Sequence, residues 1–408
     1  MLRPSRHPNN FIHGVQTWPC RVAGEEFQIE GYLYAQQNNT TNACAHVALR
    51  TAAARFHPNG DMSYREMNRI AGIDLSKLCS GQPCGLSAEQ MLTILEAAGA
   101  RCFPADYTLP SDQQPNVPFQ KYLYGSIESG YPAILLFGTA RSGSYHAVPV
   151  FGHTFNEDTW VPDAERSYFR VGSAIGYLPS EFWVSMYIAH DDNWGSNLCI
   201  PRHYLHVRRS CPLLPEGPTP CPIEPERVVY AVGTLPRSVQ LDAVRAELIG
   251  ADYLFTIRPQ VPPDAGPWAQ RLAWYADRCL LVLRPILIEG HEYGEHLERI
   301  RDWDHKGVSA QIVDELKSAF TEKLWMVELS VPELFSANRR KVGEVLLRAQ
   351  IRSGERRDFK SFVLARVPGY FALYVGGDPG SPRYQFIPSG TSGHVELFGC
   401  EETARPQR

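Results

Sequence analysis

No stretch of this chain is long and apolar enough to cross a bilayer. The longest apolar run, 279–283 with 286–288, is broken by Arg284 and Pro285, far short of the roughly 20 residues a spanning helix needs. Residues 1–14, MLRPSRHPNNFIHG, hold no apolar h-region, so no secretory leader is expected and the cytoplasm is the expected address. Cysteine is scarce, at ten in 408 residues, which excludes a disulfide scaffold. In the cytoplasm most of these thiols are expected to be reduced, small buried hydrophobes. Neither sign of charge dominates: 40 Lys and Arg face 44 Asp and Glu, for a net charge of −4. With no long single-sign run, a dominant nucleic-acid surface is not expected. Charged residues at 21% and the hydrophobic set at 44% exclude wholesale disorder. There is no internal repeat.

Two tempting metal motifs are also incomplete. Cys79 and Cys84 form a CxxxxC pair with no second ligand pair at matching spacing, so zinc is not expected there. His291 and His296, in HEYGEH, are five residues apart. On a helix that spacing turns them about 140° from each other, whereas a zinc-protease pair needs a spacing of four. Surface histidines are the expected reading, and no metal site is assigned.

What the chain does contain is a marked composition break at 211–226, CPLLPEGPTPCPIEPE, with six prolines. Such density blocks helix and central strand alike. The expected organisation is a domain at 1–210, a Pro-rich linker at 211–226 and a C-terminal α/β domain at 227–408, folding independently. Before the linker, helices are expected from Asn42, from Ser63 with Glu66 three residues on, from Ser87 with Gln90 in the same relation and Gly99 as the stop, and over 118–129. Strand-like runs follow at 133–137, 146–151 and 183–189. Helices first and strands after make an α+β pattern. After the linker, strand-like runs at 228–232, 280–283, 324–329, 362–367 and 370–375 alternate with helical stretches near 239–249, 266–277, 292–303 and 308–322, an α/β or α+β pattern of unassigned role.

The chemistry-bearing segment is Gln37-Asn-Asn-Thr-Thr-Asn-Ala-Cys44. A cysteine near a helix start faces unpaired N–H groups and the positive end of the macrodipole, both favouring thiolate. Gln37 can supply an amide N–H beside the Cys44 backbone N–H, giving two donors for an oxyanion. An ordinary buried cysteine after a polar turn is the competing reading. At 131–146 an apolar strand and a Gly/Ser turn lead to His146, and 147–153 returns as a strand. A histidine opening a strand is placed for a base paired with Cys44. A carboxylate to orient the imidazole is offered by two loops, WVPDA with Asp163 and HDDNWG with Asp191 and Asp192.

Over about 30–200 these elements resemble the papain-like cysteine peptidase superfamily, most closely the bacterial branch of bacteriocin-processing peptidase domains of ABC exporters. The resemblance implies a papain-like fold, with Gln37 as oxyanion donor, Cys44 as nucleophile, His146 as base and Asp191 as orienter. It departs from the family's Asp-Cys-Gly, which here is Asn42-Ala43-Cys44-Ala45. The expected Asp-Pro is Asp191-Asp192, and Gln37 lies seven residues before Cys44 rather than six. Asp191 follows a strand-like heptapeptide, WVSMYIA, and is expected over Asp163, which follows Pro162. Asp192 is the alternative should strand register slip by one.

The implied activity is acyl transfer through a Cys44 thioester, as a cysteine peptidase or isopeptidase acting on a peptide or protein substrate without a cofactor. An amine acceptor would make it a transamidase. A non-catalytic peptide-binding module is the rival, as is chemistry in the C-terminal domain through Glu328 in LWMVELS. His46 is expected to pack or cap, Asn39 and Asn42 to serve the turn.

Overall fold

A computed structural model describes residues 10–11, 16–36, 44–73, 85–110, 113–139, 145–156, 176–207, 226–336, 338–351, 360–378 and 381–400. The chain divides into two units, Met1–Phe155 with Val184–Arg237, and Asn156–Trp183 with Ser238–Arg408. Among the described residues no helix is long and apolar enough to cross a membrane.

The first unit begins with β1 (Asn10–Phe11) and a hairpin of β2 (Gln16–Val22) and β3 (Glu25–Gly31). The two-residue turn between the hairpin strands sits on Ala23 and Gly24, both at positive φ, the geometry that follows the natural strand twist. Three helices come next: α1 (Cys44–Ala53), α2 (Tyr64–Ile70) and α3 (Ala88–Ala98). Their ends obey the sequence signals. Ser63 caps α2 by accepting the Glu66 N–H at 3.2 Å. Ser87 and Gln90 form a reciprocal capping box on α3, and Gly99 closes that helix at φ 109°, where a Cβ would be strained. Then come β4 (Ala100–Asp106), α4 (Phe119–Glu128), β5 (Ala133–Gly138) and β6 (Tyr145–Phe155). A two-residue β7 (Leu178–Pro179) belongs to the second unit. The first unit resumes with β8 (Val184–Asp191), β9 (Gly195–Pro201) and β10 (Val228–Pro236).

These strands form one sheet in the order β4-β10-β5-β6-β8-β9, with β1 added against β6. Every pair is antiparallel. Helices cover both faces. From α1 to α3, Leu49, Met67, Met91 and Ile94 meet Ile134, Leu136 and Val232. From α4, Phe119, Leu123 and Ile127 meet Leu135, Val148 and Ala231. Successive residues of β5 thus enter opposite cores, as the two-residue period of a strand requires.

The expected boundary at 211–226 is corrected here. Most of that segment lies outside the described residues, but the chain beyond it returns to the first unit, whose division from the second falls after Arg237. β10 lies between β4 and β5. The physical reason is its run Val228-Val-Tyr-Ala-Val232, apolar on both sides, which only a strand covered on both faces can bury. Gly233 secures the fit. A Cβ there would stand 3.0 Å from the Tyr122 carbonyl oxygen and 3.1 Å from Ser126 Oγ, both on α4. Ser126 Oγ in turn accepts the Thr234 N–H at 2.9 Å.

The second unit has its own sheet. In chain order its further elements are α5 (Ala243–Ile257), α6 (Pro267–Asp277), β11 (Val282–Glu289), α7 (Gly290–Arg299), α8 (Ala310–Ala319), β12 (Lys323–Ser330) and α9 (Pro332–Phe335). They are followed by β13 (Arg340–Lys341), β14 (Gly343–Arg348), β15 (Phe362–Val367), β16 (Tyr370–Asp378), β17 (Ser381–Pro388) and β18 (Val395–Glu396). The sheet order is β17-β16-β15-β14-β12-β11-β7, antiparallel except for β7 against β11. Gly250 of α5 lets that helix close on the sheet, since a Cβ would lie 2.9 Å from the Val327 side chain. Tyr293, Leu297 and Val313 of α7 and α8 pack with Ile286, Met326 and Leu346. Both units therefore combine helices with largely antiparallel sheets, an α+β architecture.

Candidate functional site

The site grows from the start of α1. Cys44 is the first residue of that helix and is half-buried. Its backbone N–H is one of the amides that an α-helix leaves without an intrahelical acceptor. The rest of α1, from Ala45 to Ala53, is almost wholly buried and packs on β5 and β6, so the thiol is carried by a rigid element. His46, the next polar residue, hydrogen-bonds Asn68 Oδ1 at 2.7 Å and meets Tyr64 edge to face. It packs, as expected.

β6 delivers His146 as its second residue, buried at 8% exposure. Its Nε2 lies 3.1 Å from Asp191 Oδ2 and 3.4 Å from Asp192 Oδ1. Cys44 acts on the ring as well, through a side-chain hydrogen bond and charge that both raise the His146 pKa. Phe137, opposite His146 on β5, stands edge-on to the imidazole at 5.7 Å and limits its rotation. Burial disfavours the imidazolium, but the hydrogen bonds to Asp191 and Cys44 and their charges outweigh it, raising the His146 pKa to about 10.

Asp191 is the last residue of β8 and 3% exposed. Its Oδ1 accepts the backbone N–H groups of Asn193 at 2.8 Å and Trp194 at 2.9 Å, so one oxygen fixes the turn while the other faces His146. Burial raises its pKa, but the bond to His146, the imidazolium charge and the two amides prevail, and the net shift is downward. Asp192 shifts upward, because burial and the charge of Asp191 exceed the pull of His146. The adjacent carboxylates thus shift in opposite directions, Asp191 held by its bond to His146 and Asp192 without an equal one.

Of the residues singled out in the sequence, His146, Asp191 and Asp192 come together, and Cys44 is near enough to act on the His146 pKa. Gln37 and Asp163 lie outside the described residues, as do Cys79, Cys84, Asn39 and Asn42. Three neighbours were missed. The Tyr34 hydroxyl reaches the Asp191 carbonyl oxygen at 3.5 Å, and the main chains of Asn193 and Trp194 hold the carboxylate. The NWG that follows the two aspartates was the available signal, since aspartate readily caps such a turn. His190 packs elsewhere, its ring tilted against Phe151 at 4.2 Å and Tyr34 at 5.1 Å, and burial lowers its pKa to about 3.

Two readings in the second unit are corrected. Glu328, the rival seat of chemistry, is taken up by internal ion pairs. It is fully buried, 2.8 Å from both Arg284 and Lys341, in a row where Arg284, Glu328, Glu344 and Arg366 stand opposite one another across four strands. The pair His291 and His296 is not a pair of surface groups either. His291 is exposed but His296 is buried beside Phe398, because five residues of helix turn one side chain outward and the other in.

No family model matches the chain, and neither a curated protein nor a solved structure matches it.

Proposed function

We propose that the first unit is a thiol-dependent acyl-transfer enzyme, most closely a cysteine peptidase or isopeptidase of papain-like fold acting on a peptide or protein. The observation that carries this reading is one buried imidazole hydrogen-bonded to a fixed carboxylate, with its pKa raised in part by a half-buried cysteine at a helix start. His146 takes the thiol proton, and Cys44 Sγ bonds to the substrate carbonyl carbon. As the tetrahedral adduct collapses, its C–N bond breaks and His146 returns the proton to the leaving amine. Water then cleaves the thioester, restoring the thiol and releasing the acid. Asp191 holds the ring so that Nδ1 faces sulfur and stabilises the imidazolium between the two transfers. The Cys44 N–H, with Gln37 assigned from sequence, meets the oxyanion. No step calls for a cofactor, and the cytoplasm is the proposed address.

The test is selectivity of alkylation. Native protein treated with limiting iodoacetamide near pH 6 is expected to carry the adduct on Cys44 ahead of the other nine cysteines, by peptide mass. Adducts spread over several cysteines, or concentrated on another, overturn the assignment.

A further inference from the structure

We propose that His146, Asp191 and Asp192 form a binding site for one divalent transition-metal ion of the zinc class, which holds the thiol centre inactive while bound. The acyl-transfer reading needs one carboxylate behind the imidazole, and two are present. Asp191 is fully employed, by His146 on one oxygen and two backbone amides on the other. Asp192 is not. Its Oδ1 takes a bond from Asn193 Nδ2 at 3.2 Å, while its Oδ2 is buried with no hydrogen-bond partner. A buried carboxylate with one oxygen left without a donor is costly, and a cation held by the Asp192 carboxylate offsets the charge that its hydrogen bonds do not.

The spacing suits a metal. The ligand atoms of the three residues lie within 4.8 Å of one another. Zinc binds nitrogen and oxygen at about 2.0–2.2 Å in a tetrahedron, whose edges are then about 3.3–3.5 Å. The edges from His146 Nε2 to Asp191 Oδ2 and Asp192 Oδ1 are 3.1 and 3.4 Å, so small side-chain shifts complete three corners and leave water the fourth. The donor set, one imidazole and two carboxylates, carries two negative charges when the ring is neutral, which matches a dication. The turn that presents both aspartates is already fixed by the Asn193 and Trp194 amides, so little ordering remains to be done on binding.

The consequence for Cys44 rests on the acyl-transfer reading; the binding does not. Zinc takes the position of the Nε2 proton, which leaves to solvent. The imidazole then carries its one remaining proton on Nδ1 and has no lone pair to accept the proton of the thiol. Ion binding and base catalysis exclude each other at one ring.

The experiment uses the full chain, metal-free, with Zn2+ measured by equilibrium dialysis and Co2+ by its visible spectrum. To remove thiol ligands, Cys44→Ala protein with its other cysteines carbamidomethylated is dialysed as well. The expected result is one ion per chain in both proteins, with a tetrahedral Co2+ spectrum. Asp192→Asn and, as a second variant, His146→Gln should each weaken binding by more than the roughly 10–100-fold that loss of an outer partner costs, at unchanged circular dichroism. No stoichiometric binding, binding lost in the Cys44→Ala protein, or binding indifferent to Asp192→Asn and His146→Gln overturns the proposal. Failure of Cys44 to alkylate selectively in metal-free protein would instead refute the acyl-transfer reading, leaving the dialysis result to stand alone.

Discussion

Replacing Asp191 by asparagine isolates what the carboxylate does for His146, because the two side chains have the same shape. The asparagine Oδ1 can still accept the Asn193 and Trp194 amides now bound by Asp191, so the turn at the end of β8 survives. What changes is the atom facing Nε2, which becomes an NH2 donor in place of the oxygen 3.1 Å away. The ring must then present Nε2 as an acceptor and keep its proton on Nδ1, the nitrogen that should receive the thiol proton. A hydrogen bond to a charged group contributes about 1.5–3 kcal/mol, and 1.4 kcal/mol is a factor of ten, so on the acyl-transfer reading Cys44 should alkylate roughly ten- to a hundredfold more slowly. The assay is the second-order rate of Cys44 alkylation by iodoacetamide at pH 7, followed by peptide mass, with thermal unfolding as the control for folding. A rate equal to that of the native protein refutes the reasoning. If Asp192→Asn alone produces the loss, the orienting role passes to Asp192.

Four further outcomes follow from the same structure. His146, raised from 6.5 to about 10, binds its proton more tightly folded than unfolded, so its stabilisation is complete below pH 6.5 and is lost as pH climbs toward 10; urea titrations across that range should show the fall, and His146→Gln should flatten it. His190, lowered from 6.5 to about 3, has the opposite sign: stability drains as pH falls from 6.5 toward 3, and His190→Leu should reduce that acid limb in the same titration. Glu344→Gln leaves the buried Arg366 without its bidentate partner, whose two bonds are both 2.7 Å, and should destabilise the second unit by about 3–5 kcal/mol in denaturant unfolding. A chain ended at Pro212 should aggregate on expression, since it lacks the strand between β4 and β5; a soluble, folded product would contradict the assignment of β10 to the first unit.

Much of the first unit was legible because its signals are local. Capping pairs at Ser63 and Ser87 set two helix starts, and Gly99 a helix end, without help from the rest of the fold. Apolar runs marked β5, β6 and β8. The placement of β10 was not legible, because proline density reports that a segment is extended, not which sheet receives the chain beyond it. Nor were β14 and β17, found at Gly343–Arg348 and Ser381–Pro388, whose charged and proline residues break the strand pattern. In β14 the apparent exception is explained by pairing: Glu344 belongs inside because Arg366 stands opposite it.

The choice between Asp191 and Asp192 shows where sequence periodicity ends. In a regular strand neighbouring side chains point to opposite faces, so a one-residue slip should exchange one aspartate for the other and never offer both to a single imidazole. That expectation holds only while the strand continues. Here β8 ends at Asp191 and Asp192 begins a turn, and pairing with β9 already shifts register between Ala189 and Asp191. The alternation therefore stops at the very residues in question. His190 still obeys it and packs against Phe151, while both aspartates reach Nε2 of His146. A strand followed by a turn can converge two consecutive carboxylates, which neither element can do alone, and that junction gives His146 a hydrogen-bonded carboxylate together with a second buried one.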